Sequence, residues 1–257
     1  MKLGFIGTGV ITEAFITGML KVGEYDNDVL VSLRSSERSS QLANQFSNVT
    51  VVAENQEIVD QSDWIFIAVL PSQARSLLES LNFSQEQKVI SIVAGVELAE
   101  LSDLCRPAEN VFRIIPLPPV EFGLGPMPLS PPDEAIEKFL QRFSVPVPVE
   151  SEREFSSFSA ASAVMASHYE IMATVARWIH SQDVPQTAAA GYTTAIFEGL
   201  AGMASRCDWD SLQALPDNSQ TPGGLNEQVI RELGKSGWFD QISKQLDGIA
   251  RRLSKVE

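Results

Sequence analysis

The residues best placed to do chemistry open the chain. Lys2-Leu3-Gly4-Phe5-Ile6 has the apolar character of a short buried strand and runs directly into Gly7-Thr8-Gly9-Val10-Ile11-Thr12. That order reads as strand, glycine turn, helix start. Gly7 permits the tight turn, and Gly9 lets an anion approach the backbone, where the unpaired N–H groups and the dipole of a starting helix favour negative charge. The chemistry predicted is capture of a dinucleotide's pyrophosphate by Gly7, Thr8, Gly9, Val10 and Ile11. The third glycine of the G-x-G-x-x-G pattern is Thr12 here, so the motif is incomplete, and an ordinary strand-to-helix turn would use the same glycines.

A second apolar strand, Val29-Leu30-Val31-Ser32, ends roughly 25 residues after Gly7, where a dinucleotide site places its ribose contact. It leads into Leu33-Arg34-Ser35-Ser36-Glu37-Arg38. An NAD site calls for an acid at the carboxyl end of that strand, but Asp26 and Asp28 precede it. Ser32, Arg34 and Ser35 suit the 2′-phosphate of NADP instead: an arginine is a permanently charged forked donor, and serines add neutral hydrogen bonds. A solvated, Ser-rich helix entry with a chance arginine is the ordinary alternative.

The elements that must position these residues follow in an alternating pattern. Apolar strands at 49–52, 64–69, 89–93 and 111–114 are separated by helical stretches such as 72–81 and 97–104, the reading frame of a doubly wound parallel sheet of the Rossmann type. The strands' carboxyl ends face one crevice. There Val69, Pro71, Ala94 and Gly95, with small or proline-bearing loops around them, would let the flat cofactor ring lie against the backbone.

The pattern changes after Val145-Pro146-Val147-Pro148-Val149, which reads as an edge strand. Residues 151–257 read as helices at 155–180, 185–203, 225–236 and 239–255, with Pro222-Gly223-Gly224 breaking between two of them. The expected organisation is therefore a 1–150 cofactor-binding domain and a 151–257 all-helical domain for substrate and dimerisation. So small a domain with helices as apolar as 188–203 would leave apolar surface exposed, which predicts a homodimer through it. His168 is a candidate proton donor, set against the ordinary role of an interface histidine, and His180 reads as structural at a helix end.

Composition bounds the partners. The 257 residues carry a net charge of -14, which argues against a general nucleic-acid or acidic-membrane partner. Cys105 and Cys207 lie outside any metal-ligand spacing, so no metal site is expected, and both thiols are expected to be buried. The opening strand has no basic, apolar leader before it and no apolar stretch is long enough to span a bilayer, which predicts a cytoplasmic protein.

Taken together, several segments make the chain similar to the pyrroline-5-carboxylate reductase family over nearly its whole length. Gly4-Phe5-Ile6-Gly7-Thr8-Gly9 resembles that family's start, Val69-Leu70-Pro71 its Val-Lys-Pro, and Ser91-Ile92-Val93-Ala94-Gly95-Val96 its Ser-Ile-x-Ala-Gly-Val. Arg113-Ile114-Ile115-Pro116-Leu117-Pro118-Pro119 resembles Arg-x-Met-Pro-Asn-Thr-Pro, and Thr221-Pro222-Gly223-Gly224 resembles Ser-Pro-Gly-Gly. The resemblance implies an NADP-binding Rossmann domain, a helical dimerisation domain and NADP-dependent reduction of a cyclic imine carboxylate, with pyrroline-5-carboxylate going to proline. It places substrate contacts at Thr221, Gly223, Gly224, Leu225 and Asn226. The main-chain N–H groups of Gly223, Gly224 and Leu225, opening the next helix, would receive the substrate carboxylate.

The departures lie on the substrate side. Leu117-Pro118 replaces Asn-Thr, Ala163-Val164-Met165-Ala166-Ser167-His168 replaces Gly-Ser-Gly-Pro-Ala-Tyr, and Leu225-Asn226 replaces two threonine-like positions. Asn226 becomes a candidate in place of a hydroxyl, because an amide can still donate. Two alternatives stand beside the reductase reading. One is an oxidoreductase of the same superfamily using another imine or a deazaflavin partner; the other is a non-catalytic NADP-binding protein.

Overall fold

The computed structural model describes residues 1–34 and 36–253. Five βα repeats open the chain: β1 (Leu3–Ile6), α1 (Val10–Lys21), β2 (Val29–Ser32), α2 (Ser36–Gln45), β3 (Val49–Val52), α3 (Asn55–Gln61), β4 (Trp64–Ile67), α4 (Pro71–Glu79), β5 (Lys88–Ser91) and α5 (Leu98–Leu104). Then come β6 (Asn110–Ile114), β7 (Pro126–Ser130), α6 (Glu134–Leu140), β8 (Val145–Pro148) and α7 (Glu152–Ala161). The strands form one sheet in the order β3-β2-β1-β4-β5-β6-β7-β8. All neighbours are parallel except β6 and β7. The order reverses direction at β1, so the first glycine turn sits at the switch point where a doubly wound sheet opens a crevice.

Near-continuous apolar strands are what a sheet covered on both faces requires. Every residue of β1, β2 and β4 is buried. One face packs α1 through Phe15, Ile16 and Met19 against Phe5 and Phe66. Phe15 lies 5.3 Å from Phe66 and 5.1 Å, edge-on, from Phe143, while Phe5 and Phe66 stack at 4.5 Å. The other face gathers Ile6, Ile58, Ile65, Ile67, Leu78 and Val89.

Two elements late in the sheet unit, β7 and α6, arise where the sequence pattern gave no element. β7 pairs antiparallel with β6, and the Pro128 carbonyl accepts the Ile115 N–H at 3.2 Å. α6 begins at an aspartate cap, the Asp133 carboxylate accepting the Ile136 N–H at 2.9 Å and pairing with Lys88. Burial alone would raise the Asp133 carboxyl; its bonds to Lys88 and to main-chain N–H groups outweigh that and hold it below the ordinary range. β8 is the edge strand that its sequence suggested. Val145 and Val149 donate inward to the Gly125 and Leu129 carbonyls, so the alternate positions, Pro146 and Pro148, face outward.

Among the described residues the chain divides into two compact units, Met1–Ala160 with the residues from Ala250 onward, and Ala161–Ile249. The division falls ten residues beyond the expected boundary because α7 belongs to the sheet unit. Arg113 on β6 pairs with Glu152 at 2.6 Å and lies 4.1 Å from the Phe155 ring, and the Leu98 N–H donates to the same Glu152 carboxylate.

The second unit is helical: α8 (Met165–His180), α9 (Gln186–Ala204), α10 (Trp209–Asn218), α11 (Leu225–Lys235) and α12 (Trp238–Leu253). The single helix expected over 155–180 is two, α7 and α8, joined by a short 3-10 stretch at Ser162–Val164. α10 carries Pro216 within it, which hid it from a search for uninterrupted periodicity. Within α9 only Ala189 and Thr193 are buried. No helix among the described residues is long and apolar enough to cross a membrane.

Candidate functional site

The first glycine turn is built as the motif requires. Gly7 has φ +101°, and a Cβ there would lie 2.3 Å from the Ala68 carbonyl oxygen of the neighbouring strand end. Only glycine fits without strain. Gly9 differs: it caps α1 in extended conformation, has no side-chain cap bond, and a Cβ on it would meet nothing within 4 Å. The space above Gly9 is open, and the first N–H groups of α1 face it without a capping side chain.

That space is a cleft of about 510 Å³. Of the expected cofactor residues, Gly7, Thr8, Gly9, Val10, Ile11, Arg34 and Val69 line it. Ala68, Leu70, Gln73 and Ile92 line it too and were not among the expected cofactor residues. Pro71 is the first residue of α4, and Gly95 turns at φ +74° with Ala94 exposed beside it; these three lie outside the lining. Ser35 falls outside the described residues.

Ser32 and Thr12 act from beneath. Ser32 is 2% exposed and its Oγ accepts the Gly7 N–H at 2.9 Å, while the Thr8 hydroxyl donates to the Ser32 carbonyl at 2.8 Å. The hydroxyl read as a phosphate contact therefore holds the turn in shape. Thr12, at the motif's missing glycine, is fully buried and donates to the Gly7 carbonyl at 2.9 Å. A small hydroxyl at that position serves the same close packing of helix on strand and adds a bond. Arg34 stands exposed at the cleft, whereas Arg38 is paired with Glu13 of α1.

In the helical unit, Thr221, Gly223, Gly224, Leu225 and Asn226 form one turn at the start of α11. The Gly224 N–H donates to the Thr221 carbonyl at 2.7 Å, closing the turn. The Gly223 N–H donates to Oε2 of Glu227 at 2.5 Å. Asn226 uses its amide to donate to the Ser219 carbonyl at 2.8 Å, bracing the approach to the turn. Of the three main-chain donors expected for a carboxylate, only that of Leu225 has no acceptor among the described residues. Glu227 was missed in sequence, although its position three residues after the Gly224 cap is the capping-box spacing.

His168 lies elsewhere in this unit, in an apolar groove of about 560 Å³ lined by Val164, Ile171, Trp238, Ile242 and Leu246. Its ring meets Phe197 edge-on at 5.7 Å. His180 ends α8, with Nδ1 2.8 Å from the Val184 carbonyl. Burial pushes the Cys105 thiol up to about 12, so it carries no thiolate chemistry. Cys207 corrects the expectation of two buried thiols: it is half-buried, 3.7 Å from the Met203 carbonyl.

Residues 2–95 match the family described as NADP oxidoreductase coenzyme F420-dependent. Over 267 aligned residues, spanning 100% of this chain and 97% of the relative, the chain is 22% identical to pyrroline-5-carboxylate reductase of Vibrio alginolyticus. Among solved structures, 1-pyrroline-5-carboxylate reductase of Streptococcus pyogenes shares the fold with a TM-score of 0.82 at 22% identity, over 98% of each chain. Pyrroline carboxylate reductase of Plasmodium falciparum, solved with NADP bound, does so with a TM-score of 0.85 at 17% identity, over 100% of this chain and 98% of that one. The resemblance carried by the motifs thus extends over the full length, as does the arrangement of a Rossmann-type sheet followed by helices.

Proposed function

We propose that this chain is an NADP(H)-dependent reductase that transfers hydride to a small cyclic imine carboxylate, with pyrroline-5-carboxylate converted to proline. The observation that carries the reading is the cleft at Gly7 and Gly9 with Arg34 at its rim, in a chain similar end to end to pyrroline-5-carboxylate reductases. The residues fit the cofactor: open space over Gly9, uncapped N–H groups at α1 and no acid at the end of β2. Gly7, Thr8, Gly9, Val10 and Ile11 hold the pyrophosphate, Arg34 the 2′-phosphate, and Val69 with Ile92 the apolar wall beyond it.

NADPH, when bound, supplies the hydride. A cyclic imine protonated on nitrogen accepts hydride at carbon and becomes a neutral amine, so the chemical step asks for no acid from the protein. The chain's own work is to orient the substrate, and in the helical unit the turn at Thr221 to Asn226 is the group of residues suited to hold a carboxylate. The sheet unit serves as the cofactor domain and the helical unit as the substrate and dimerisation domain of a cytoplasmic homodimer. The dimer is supported by α9, where Tyr192, Leu200 and Met203 are more than half exposed, and by Trp178 and Trp209.

NADPH oxidation with pyrroline-5-carboxylate tests the function, and no turnover above background across five- and six-membered imine acids would leave a non-catalytic NADP-binding protein. Arg34→Ala is expected to narrow the preference for NADPH over NADH by about 1.5–3 kcal/mol, the contribution of a charged hydrogen bond. Fluorescence titration of both cofactors reads it, and equal affinities in the unaltered protein would reject NADP specificity. Light scattering at micromolar concentration should give twice the monomer mass; a monomer at high concentration would reject the dimer.

A further inference from the structure

The turn that begins α11 already holds a carboxylate, and it is the protein's own. Glu227, one turn into the helix, reaches back so that its Oε2 accepts the Gly223 N–H at 2.5 Å. Arg231, one further turn along α11, is paired with Glu232 at 3.1 Å, and among the described residues no lysine or arginine pairs with Glu227. Gly223 turns at φ +73°, and a Cβ there would meet nothing within 4 Å, so the turn is open on that side.

A reach-back of this kind is an ordinary way to satisfy a helix start. Its place here gives it a second consequence. The Gly224 N–H is spent on Thr221 and the Asn226 amide on Ser219, which leaves an incoming carboxylate the free Leu225 N–H and the Gly223 N–H, and at the second of these it meets Glu227. One N–H serves one charged acceptor well, and two like charges side by side repel.

We propose that Glu227 is a specificity-determining residue: an internal anion that competes with the substrate's carboxylate for the Gly223 N–H and so weakens the site's preference for imine acids over imines that lack the acid. The inference rests on reading the Thr221 to Asn226 turn as the substrate-binding turn. Glu227 lowers affinity for pyrroline-5-carboxylate relative to 1-pyrroline, which offers the same ring and C=N bond without the acid. It acts on binding and leaves the cofactor cleft untouched.

Glu227→Gln is the informative variant, because a glutamine carbonyl still accepts the Gly223 N–H and keeps the turn capped while the charge is gone. Two measurements on the full-length protein test it. In steady-state assays at saturating NADPH, the ratio of KM for pyrroline-5-carboxylate to KM for 1-pyrroline should fall about ten-fold in the variant, with kcat changed far less and KM for NADPH unchanged. By calorimetry on the NADP-loaded protein, cyclopentanecarboxylate, which carries the acid but cannot be reduced, should bind about ten-fold more tightly to the variant. Unchanged or weaker binding of cyclopentanecarboxylate, including binding to neither protein, overturns the proposal. Tighter binding of that probe with no NADPH oxidation by either protein on either imine would retain the anion competition and reject the reductase reading.

Discussion

Gly9→Val is expected to leave the protein folded and to weaken NADPH binding by about two orders of magnitude, whereas Gly7→Ala is expected to damage the fold itself. The two glycines sit two residues apart and fail differently. At Gly9 the backbone is extended, which valine adopts freely, and a Cβ meets no protein atom. The branched side chain projects into the cleft that would receive the pyrophosphate. Losing two charge-assisted main-chain bonds at about 1.5–3 kcal/mol each amounts to 100-fold or more in affinity. At Gly7 the alanine Cβ would lie 2.3 Å from a main-chain oxygen with φ at +101°. Backbone strain and overpacking together cost about 2–6 kcal/mol. Thermal unfolding with and without NADPH separates them: Gly9→Val should melt near the parent and gain far less from cofactor than the parent does, while Gly7→Ala should melt well below it. A Gly9→Val protein with parental NADPH affinity would remove the pyrophosphate from this turn.

The second large effect lies in the core that holds α1 against the sheet. Phe15 is 1% exposed and touches the rings of Phe5, Phe66 and Phe143 from the middle of α1. Truncation to alanine leaves a cavity among rigid aromatic neighbours and is expected to cost about 3–5 kcal/mol. For a protein of this size that lowers Tm by about 6–20 °C. The same helix offers its N-terminus to the cleft, so cofactor should restore part of the loss. NADPH at 100 times its Kd contributes about 2.7 kcal/mol to a protein that binds it only when folded. A Tm within two degrees of the parent, an approximate margin for a substitution of under 1 kcal/mol, would show that α1 is held by something other than this cluster.

The sheet was legible because its strands are covered on both faces, and apolar runs such as Trp64-Ile65-Phe66-Ile67 have no other stable home. The glycine turn was legible because the requirement at Gly7 is steric and local. What escaped depended on partners distant in sequence or on signals that point two ways. Pro126-Met127-Pro128 has no strand signal of its own, because its two prolines cannot donate; β6 supplies a neighbour whose bond uses the Pro128 carbonyl, which proline retains. The break between α7 and α8 falls at Ser162–Val164, residues with no helix-breaking chemistry, so the sequence carries no local mark of it. Ser32 was identified as a residue of the cofactor region, but a serine at a strand end serves a ligand or its own turn equally well. The bond from the Gly7 N–H decides that here. Glu227 has the spacing of a cap, a spacing common to helix starts that bind nothing, so its type and position do not by themselves mark it as part of a site.

The outward prolines of β8 set a limit on how this protein can assemble. A sheet edge normally offers alternating donors and acceptors to any extended chain that drifts past, and copies of a protein at high concentration can zip together along it. At Pro146 and Pro148 the donors are missing and only carbonyls remain, so an incoming strand would find half its partners gone. Crowded copies of this chain are therefore denied that route to a continuous ribbon, and on that flank the sheet ends at eight strands.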